Sequence, residues 1–545
     1  MPSSENKRTF IDSAAILALI FLVLLILHFP LLRLPYFWDE AGYYVPAAHD
    51  LFLTGSLIPK TTISNAHPPL VMAYLALWWK IFGFSPIVTR TAMLMMSAFA
   101  LLGLFRLAHR VANTQVAIGS IVCTAIYPVF FAQSSLVHLD LAAAGFTFWG
   151  LKTYVEKRRI LTAGWFSFAV LTKETAILTP IALIVWEIIR LLRGGEVCPA
   201  SGEVTKENRD TRGKPCLRTI GILLVPVIPL VLWYGYHYFK TGFTFGNPEF
   251  LRYNVQATMH PLRIALALLM RLWQTFGYMN LLLLTATGIL AMWRPPLRDR
   301  QKERPRIALD IQFAFLAVVA TYVIAMAVIG GAVLARYMLP AVPLVVIVFV
   351  STLWRRIAQW QWVIGVVVLG FVAGLFINPP YTFALEDNLA YRDFIQLHQD
   401  AEHFLESHYA KGNVLTAWPA SDELSRPFLG YISRPIRIVR IEDFRVEQLM
   451  SAADTRPGYD VAFIFSTKYE PPNPLLKEWP AWDRIKMRFF DYHHDVPPTL
   501  AAQILGGEIA FSESRKGQWV AVIEMRQIIE ARNNVSRAAS GRSGF

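Results

Sequence analysis

The stretch 37–69, FWDEAGYYVPAAHDLFLTGSLIPKTTISNAHPP, decides how the chain is read, because it lies between a hydrophobic run ending near Leu34 and a second apolar stretch beginning at Leu70. Two adjacent carboxylates, Asp39 and Glu40, open it, the paired tyrosines Tyr43 and Tyr44 follow, and His67-Pro68-Pro69 closes it. Acids in that position sit at a membrane surface, and a cationisable side chain on a stiff proline turn marks the point where the chain re-enters lipid. Acid at one end and a phosphate contact at the other make this a candidate catalytic loop.

The surrounding composition fixes the class of protein. With 54% hydrophobic and 17% charged residues among 545, and a mean hydropathy of +0.39, the chain is too apolar for an ordinary soluble enzyme and reads as a polytopic membrane protein. The net charge of +13 does not indicate nucleic acid, because most Lys and Arg fall in short clusters between apolar runs, as they do in cytoplasmic loops of membrane proteins. Cys123, Cys198 and Cys216 are too few and too scattered for a disulfide framework. The first apolar run, 14–32, follows Lys7 and Arg8 but lacks a small-residue cleavage site, so it is read as a retained helix.

A spanning helix needs about 20 apolar residues, and that ruler predicts about eleven: 14–34, 86–106, 115–133, 140–155, 160–173, 175–192, 219–239, 277–293, 309–330, 338–354 and 361–378. The run 69–83, with Lys80 and two tryptophans, is expected to lie in the interface. With a cytoplasmic N-terminus, the inner loops carry Arg106 and Arg110, then Lys152 with Lys157 to Arg159, the insert 193–218, the run 294–306, and Arg355 with Arg356. All five are basic, as the positive-inside rule requires, and an odd number of spans then places everything after Pro379 outside. Residues 1–380 form the expected transmembrane domain with a large first outer loop, 35–68.

From Tyr381 the pattern changes to that of a soluble α/β domain, 381–527, followed by a polar tail, 528–545, expected to be disordered. A helix is expected over 388–410, with Phe394, Leu397, Ala401 and Phe404 at helical spacing, and β-like runs at 413–417, 436–441 and 460–466. The runs 508–514 and 518–525 read as a hairpin. No glycine-rich phosphate loop occurs in this region.

Ionisable residues near hydrocarbon cost about 2.5–3.5 kcal/mol each unless paired or hydrated, so each one needs a reason. Asp140, in SSLVHLDLAAA, is either the N-cap of the following helix or a site residue. Asp39 carries the same two readings, with the role of general base favoured and Glu40 in support. Cations on the same expected face complement them: Arg90 near the start of a span, Lys173 beside Glu174, Arg252 and Arg263 in an outer loop, Arg271 in an apolar run, and Arg336-Tyr337 before Met-Leu-Pro. Any one of them alone would be read as snorkelling to headgroups, and Lys173 as paired with Glu174. Together, several cations facing two or three acids suit an anionic lipid, since Arg grips phosphate bidentately. His67 is a candidate phosphate contact or metal ligand, and His138 a candidate neighbour of Asp140.

The motifs WDEAGYY, HPPL, Arg90, LVHLDLAAAGF, LTKETAIL at 171–178 and RYMLPAVPL at 336–344 resemble the GT-C glycosyltransferases, with the protein O-mannosyltransferase and lipid A aminoarabinose transferase branch nearest, over about residues 10–380. The resemblance implies that Asp39 is the catalytic base or its partner, that Asp140 is the second-loop acid, and that the basic residues hold a lipid phosphate. It implies an enzyme of the cell envelope, in a bacterial-type inner or plasma membrane. The expected function is transfer of a hexosyl or pentosyl group from a polyprenyl-phosphate donor to a hydroxyl of a protein, lipid or glycan on the extracytoplasmic face, with inversion. His67 departs from the Lys that many aminoarabinose transferases place before the two prolines, and the C-terminal region does not resemble the β-trefoil of eukaryotic protein mannosyltransferases. The motifs identify no cofactor and leave a divalent metal open. A flippase for a lipid-linked sugar would instead show repeat symmetry and mid-membrane charges, and a membrane-anchored binding protein would tolerate loss of the outer-loop acids.

Overall fold

The computed structural model describes residues 4–193, 214–246, 252, 258–329, 331–454, 458–471 and 479–526. The expected tail 528–545, Cys198 and most of the insert 193–218 lie outside the described residues. The chain divides into two units, the first comprising Met1–Leu32 and Ala47–Leu375, the second Arg33–Pro46 and Phe376–Phe545. The acidic start of the first outer loop thus groups with the C-terminal region, whereas the expected division had kept all of 35–68 in the transmembrane domain.

The first unit is helical, and it is that of an integral membrane protein. Among the described residues, six of its helical segments are long and apolar enough to cross a bilayer: Ser13–Leu31, Pro86–Val111, Glu174–Leu192, Leu217–Thr241, Pro261–Met292 and Leu309–Val328. The other five expected spans appear as shorter helices, Thr114–Ile126 with Pro128–Gln133, Leu139–Val155, Arg159–Thr172, Val342–Arg356 and Trp360–Phe376. The expected span 277–293 is only the second half of Pro261–Met292, because Arg263 and Arg271 interrupt the apolar pattern of the first half. A kink joins the halves, with Met279 at φ 48° and Asn280 at φ 67°. Leu70–Phe82, at 13 residues, reaches about 20 Å and is too short to span. It buries Val71, Met72, Leu75, Ala76 and Trp79 on one face.

One helix pair sets the centre of this unit. Pro86–Val111 begins with the Ser85 hydroxyl accepting from the Val88 amide at 3.3 Å, and proline stands in its first turn. It crosses Leu139–Val155 at small residues: a Cβ on Gly145 would come within 2.8 Å of the Ala100 Cβ, and one on Gly103 within 2.8 Å of the Trp149 ring. Backbone approach of this kind replaces the hydrophobic drive that lipid removes. It also fixes the height of Asp140, in the first turn of its helix.

The second unit is built on a mixed five-stranded sheet of order β4-β3-β5-β7-β6, the strands being β3 (Asn413–Thr416), β4 (Arg437–Arg440), β5 (Val461–Phe465), β6 (Gly507–Arg515) and β7 (Gln518–Met525). The first two strands of the chain, β1 (Arg298–Asp299) and β2 (Lys302–Glu303), form a small hairpin in the other unit. β3 pairs in parallel with β4 and β5, while β7 runs antiparallel to both β5 and β6. Every residue of β5 is buried, as befits a central strand. The helix Ala390–His408 buries Phe394, Leu397, His398, Ala401, Glu402 and Leu405 on one side. Residues 33–46 are secured to this unit by the Tyr36 amide donating to Leu429 O at 3.4 Å and the Tyr431 hydroxyl donating to Tyr36 O at 3.0 Å.

Candidate functional site

Three breaks in helical structure converge in the first unit. The helix Arg159–Thr172 stops, Lys173 is extended at φ −151° and ψ 131°, and Glu174 starts the next helical turn. Asp140 enters from the first turn of Leu139–Val155, and Arg336 and Tyr337 from the 3-10 turn Ala335–Met338. The Lys173 ammonium donates to Asp140 Oδ1 at 2.6 Å, and Arg336 Nε lies 3.4 Å from Asp140 Oδ2. All three side chains are buried, so breaking either pair would strand a charge at a cost of about 3–5 kcal/mol.

Two sequence expectations are corrected here. Asp140 does not cap its helix: the N-cap residue is His138, which makes no side-chain capping bond, and Asp140 turns to Lys173 and Arg336. Lys173 does not pair with its neighbour Glu174, whose carboxylate instead meets His67 Nδ1 at 2.8 Å. Adjacent residues of a sharp turn thus pair with partners from two distant parts of the chain. His138 shares its Nδ1 with Gln133 Oε1 at 2.7 Å.

The half-buried ring of Tyr337 gathers the cations. Lys173 Nζ lies 4.3 Å from its centroid, Arg271 Cζ 5.4 Å and Arg336 Cζ 5.8 Å, distances at which each cation–π contact is worth about 0.5–2 kcal/mol. Arg271 is visible in the sequence only as a charge in an apolar run; its part follows from the fold. It donates to Met326 O at 3.1 Å, Leu334 O at 2.7 Å and Gln274 Oε1 at 2.7 Å, while Arg263, two turns earlier, donates to Gly331 O at 3.0 Å. These bonds satisfy carbonyls at and beyond the C-terminus of Leu309–Val328, the negative end of a helix dipole, and so shape the segment leading to Arg336.

The remaining candidates take other places. Arg90, fully buried, donates to Ser135 O at 2.8 Å and braces the loop before Asp140. Arg252 is exposed. His67 follows Ala66, whose φ of 58° is unusual for a residue with a Cβ, and Trp233 Nε1 donates to Ala66 O at 2.8 Å to hold it. In the second unit, Asp39 is half-buried and follows Trp38, at φ 46°. Glu40 is fully buried and accepts from the Phe37 amide at 2.8 Å, which closes the turn around Asp39. Non-glycine residues held at positive φ store about 1–3 kcal/mol and concentrate at functional sites. Asp39 and His67 each follow one.

Taken with Asp140, the side chains of Lys173, Arg271 and Arg336 sum to a net positive charge in a buried place. A phosphate group is the natural complement, since guanidinium forks match its oxygens and buried charge must be balanced.

Comparison with known proteins bears on the fold. The fold matches crystal structures of ArnT from Cupriavidus metallidurans, in the apo state and bound to undecaprenyl phosphate, each with a TM-score of 0.50 at 13% identity. The apo match covers 95% of this chain and 98% of that one, and the lipid-bound match 94% and 97%. The fold is that of the GT-C glycosyltransferases. The family model for dolichyl-phosphate-mannose-protein mannosyltransferase also matches, over residues 66–195, a stretch that contains His67, Arg90, Asp140, Lys173 and Glu174. The oligosaccharyltransferase AglB from Archaeoglobus fulgidus, in complex with an inhibitory peptide and a dolichol-phosphate, aligns at 12% identity and a TM-score of 0.47, covering 95% of this chain and 74% of that one. No curated protein sequence matches.

Proposed function

We propose that this protein is an integral-membrane glycosyltransferase that moves a sugar from a polyprenyl-phosphate donor to an acceptor hydroxyl on the extracytoplasmic face. The observation that carries the reading is the buried cation cluster of Lys173, Arg271 and Arg336 around Tyr337 and Asp140. The fold shared with ArnT, which has been crystallised with undecaprenyl phosphate, supports it.

In the proposed reaction the acceptor oxygen forms a bond to the anomeric carbon as the bond from that carbon to the phosphate oxygen breaks. The electron pair leaves with the polyprenyl phosphate, whose growing charge Arg336, Lys173 and Arg271 stabilise; such preorganised electrostatics usually supply the largest share of a rate enhancement. Asp140 acts as a positioning residue that holds Lys173 and Arg336 in place. Asp39 takes the acceptor's proton, an assignment that rests on its place after the first apolar helix and on the GT-C resemblance. One displacement inverts the anomeric centre. His67, held by Glu174, serves the donor headgroup. The acceptor is a hydroxyl of a protein, a lipid or a glycan, the N-terminus is cytoplasmic and the second unit is extracytoplasmic.

The test uses purified protein in detergent with a labelled polyprenyl-phosphate sugar and a crude envelope extract as acceptor. Release of free polyprenyl phosphate that depends on Arg336 and Lys173 is expected. Binding of the donor without release, or release unaffected by replacing both cations, would overturn the reading.

A further inference from the structure

The second unit contains a group of ionisable side chains that the glycosyl-transfer reading leaves unused. His398 and Glu402 stand one turn apart on the helix Ala390–His408, and Glu423 ends the short helix Ala420–Glu423. All three are fully buried. His398 Nδ1 lies 2.6 Å from Glu423 Oε2 and 3.9 Å from Glu402 Oε1, and one donor atom from each of the three falls within 4.8 Å of the others.

Two carboxylates beside one imidazole in a dry core need either protons or a cation, because an uncompensated buried charge costs several kcal/mol. Among the described residues, no other side chain or backbone group donates to either oxygen of Glu402 or to Oε1 of Glu423, and the two carboxyls meet each other. Phe394 stacks on the imidazole at 4.0 Å, and Phe463 and Phe465 meet it edge-on at 5.3 and 4.5 Å, so the walls are apolar. We propose that His398, Glu402 and Glu423 bind a divalent transition-metal ion of the zinc class.

The donor set and spacing fit. One imidazole nitrogen with two carboxylates suits zinc and its neighbours, and bonds of about 2.0–2.2 Å to a tetrahedral ion put ligand atoms roughly 3.3–3.6 Å apart. The observed 2.6 and 3.9 Å bracket that spacing. A second oxygen of Glu402 or Glu423 completes four-coordination, and the ion's two charges cancel those of the carboxylates.

Such an ion would act as a staple. Glu423 lies five residues after Trp418, whose ring meets Trp38 at 5.1 Å and Tyr43 at 5.8 Å, and Phe394 meets Trp38 at 5.5 Å and Phe37 at 5.3 Å. The metal thus ties together the two elements that cradle the turn carrying Asp39. This inference goes beyond the glycosyl-transfer reading and does not rest on it.

The experiment takes the full chain, purified without metal-affinity resin and dialysed against metal-free buffer, to elemental analysis and thermal melting. About one equivalent of a zinc-class ion per chain is expected, with a melting temperature lowered by dipicolinate and restored by added zinc. Glu402→Gln, which keeps the side-chain volume, should weaken zinc binding by about tenfold or more. Less than a tenth of an equivalent after zinc addition, with melting unaffected by chelator, overturns the proposal. Zinc binding by Glu402→Gln as tight as that of the wild type overturns it equally.

Discussion

Replacing Asp140 by Asn tests the proposed phosphate site most directly, because stability and lipid binding should move in opposite directions. In the protein without lipid, the carboxylate anchors Lys173 at 2.6 Å and Arg336 at 3.4 Å, and its loss leaves both cations buried without it. A destabilisation of about 3–5 kcal/mol follows. For a bound phosphate the sign reverses. A phosphate charge held about 5 Å from the carboxylate, at an effective dielectric constant of about 20, feels a repulsion of roughly 3 kcal/mol. Removing that repulsion is worth up to about 100-fold in affinity. Undecaprenyl phosphate should therefore bind Asp140→Asn about 10–100 times more tightly than the wild type and recover much of the lost melting temperature. Turnover should fall, since a tighter grip on the product and less ordered cations both slow the cycle. Titration of the lipid phosphate into detergent-solubilised protein, followed by thermal shift, reads both effects. Equal or weaker binding by a folded Asp140→Asn protein would refute the placement of phosphate among these cations.

Four further outcomes are expected. Arg336→Lys keeps a charge but loses the guanidinium fork, and kcat/KM for the lipid-linked donor should drop about 10²–10³-fold; full activity would argue against a phosphate contact. Asp39→Asn should lower kcat about 10²–10⁴-fold while leaving donor binding and melting temperature unchanged, and wild-type turnover would remove the base assignment. Gly42→Ala places a Cβ 2.6 Å from Trp418 Nε1 and should cost about 1–3 kcal/mol, seen as an earlier unfolding transition by tryptophan fluorescence. Burial raises the Asp495 carboxyl above its ordinary range, so the folded form keeps a proton that the unfolded chain releases. That stability is present at acid pH and is lost as pH rises from the ordinary carboxylate range through the raised value. Asp495→Asn should flatten the slope in melts taken across that window, and an unchanged slope would assign it to another group.

The legible part of the site was its charges. Asp140, Lys173 and Arg336 stand out because each interrupts an apolar run, where an ionisable group is expensive. Their partners were not legible: Lys173 and Glu174 are neighbours in sequence yet ion-pair with Asp140, at the start of a helix, and with His67, in a loop far from it in sequence. Arg271 was noticeable, but its acceptors, the carbonyls of Met326 and Leu334, carry no sequence signal. Helix existence was read from apolar length, whereas breaks at Pro128 and at the Met279–Asn280 kink depend on local backbone conformation. In the second unit, strands and the hairpin followed from alternation and turn residues. His398 and Glu402 carry no comparable signal, because apolar positions mark the buried face of their helix and two polar residues four apart on that face do not change its period.

The allocation of residues 33–46 to the C-terminal unit has a consequence for biosynthesis. This short piece leaves the ribosome roughly 330 residues before the rest of its unit begins. At translation speeds of about 5–20 residues per second, Phe37 and Trp38 wait on the order of tens of seconds for Phe394 and Trp418 to emerge. During that interval their aromatic surface has to be shielded by lipid, a chaperone or the nascent helices. A fragment starting near Phe376 would be made without its own missing wedge, so a workable soluble version of this unit requires the peptide 33–46 to be supplied in trans or grafted by a linker.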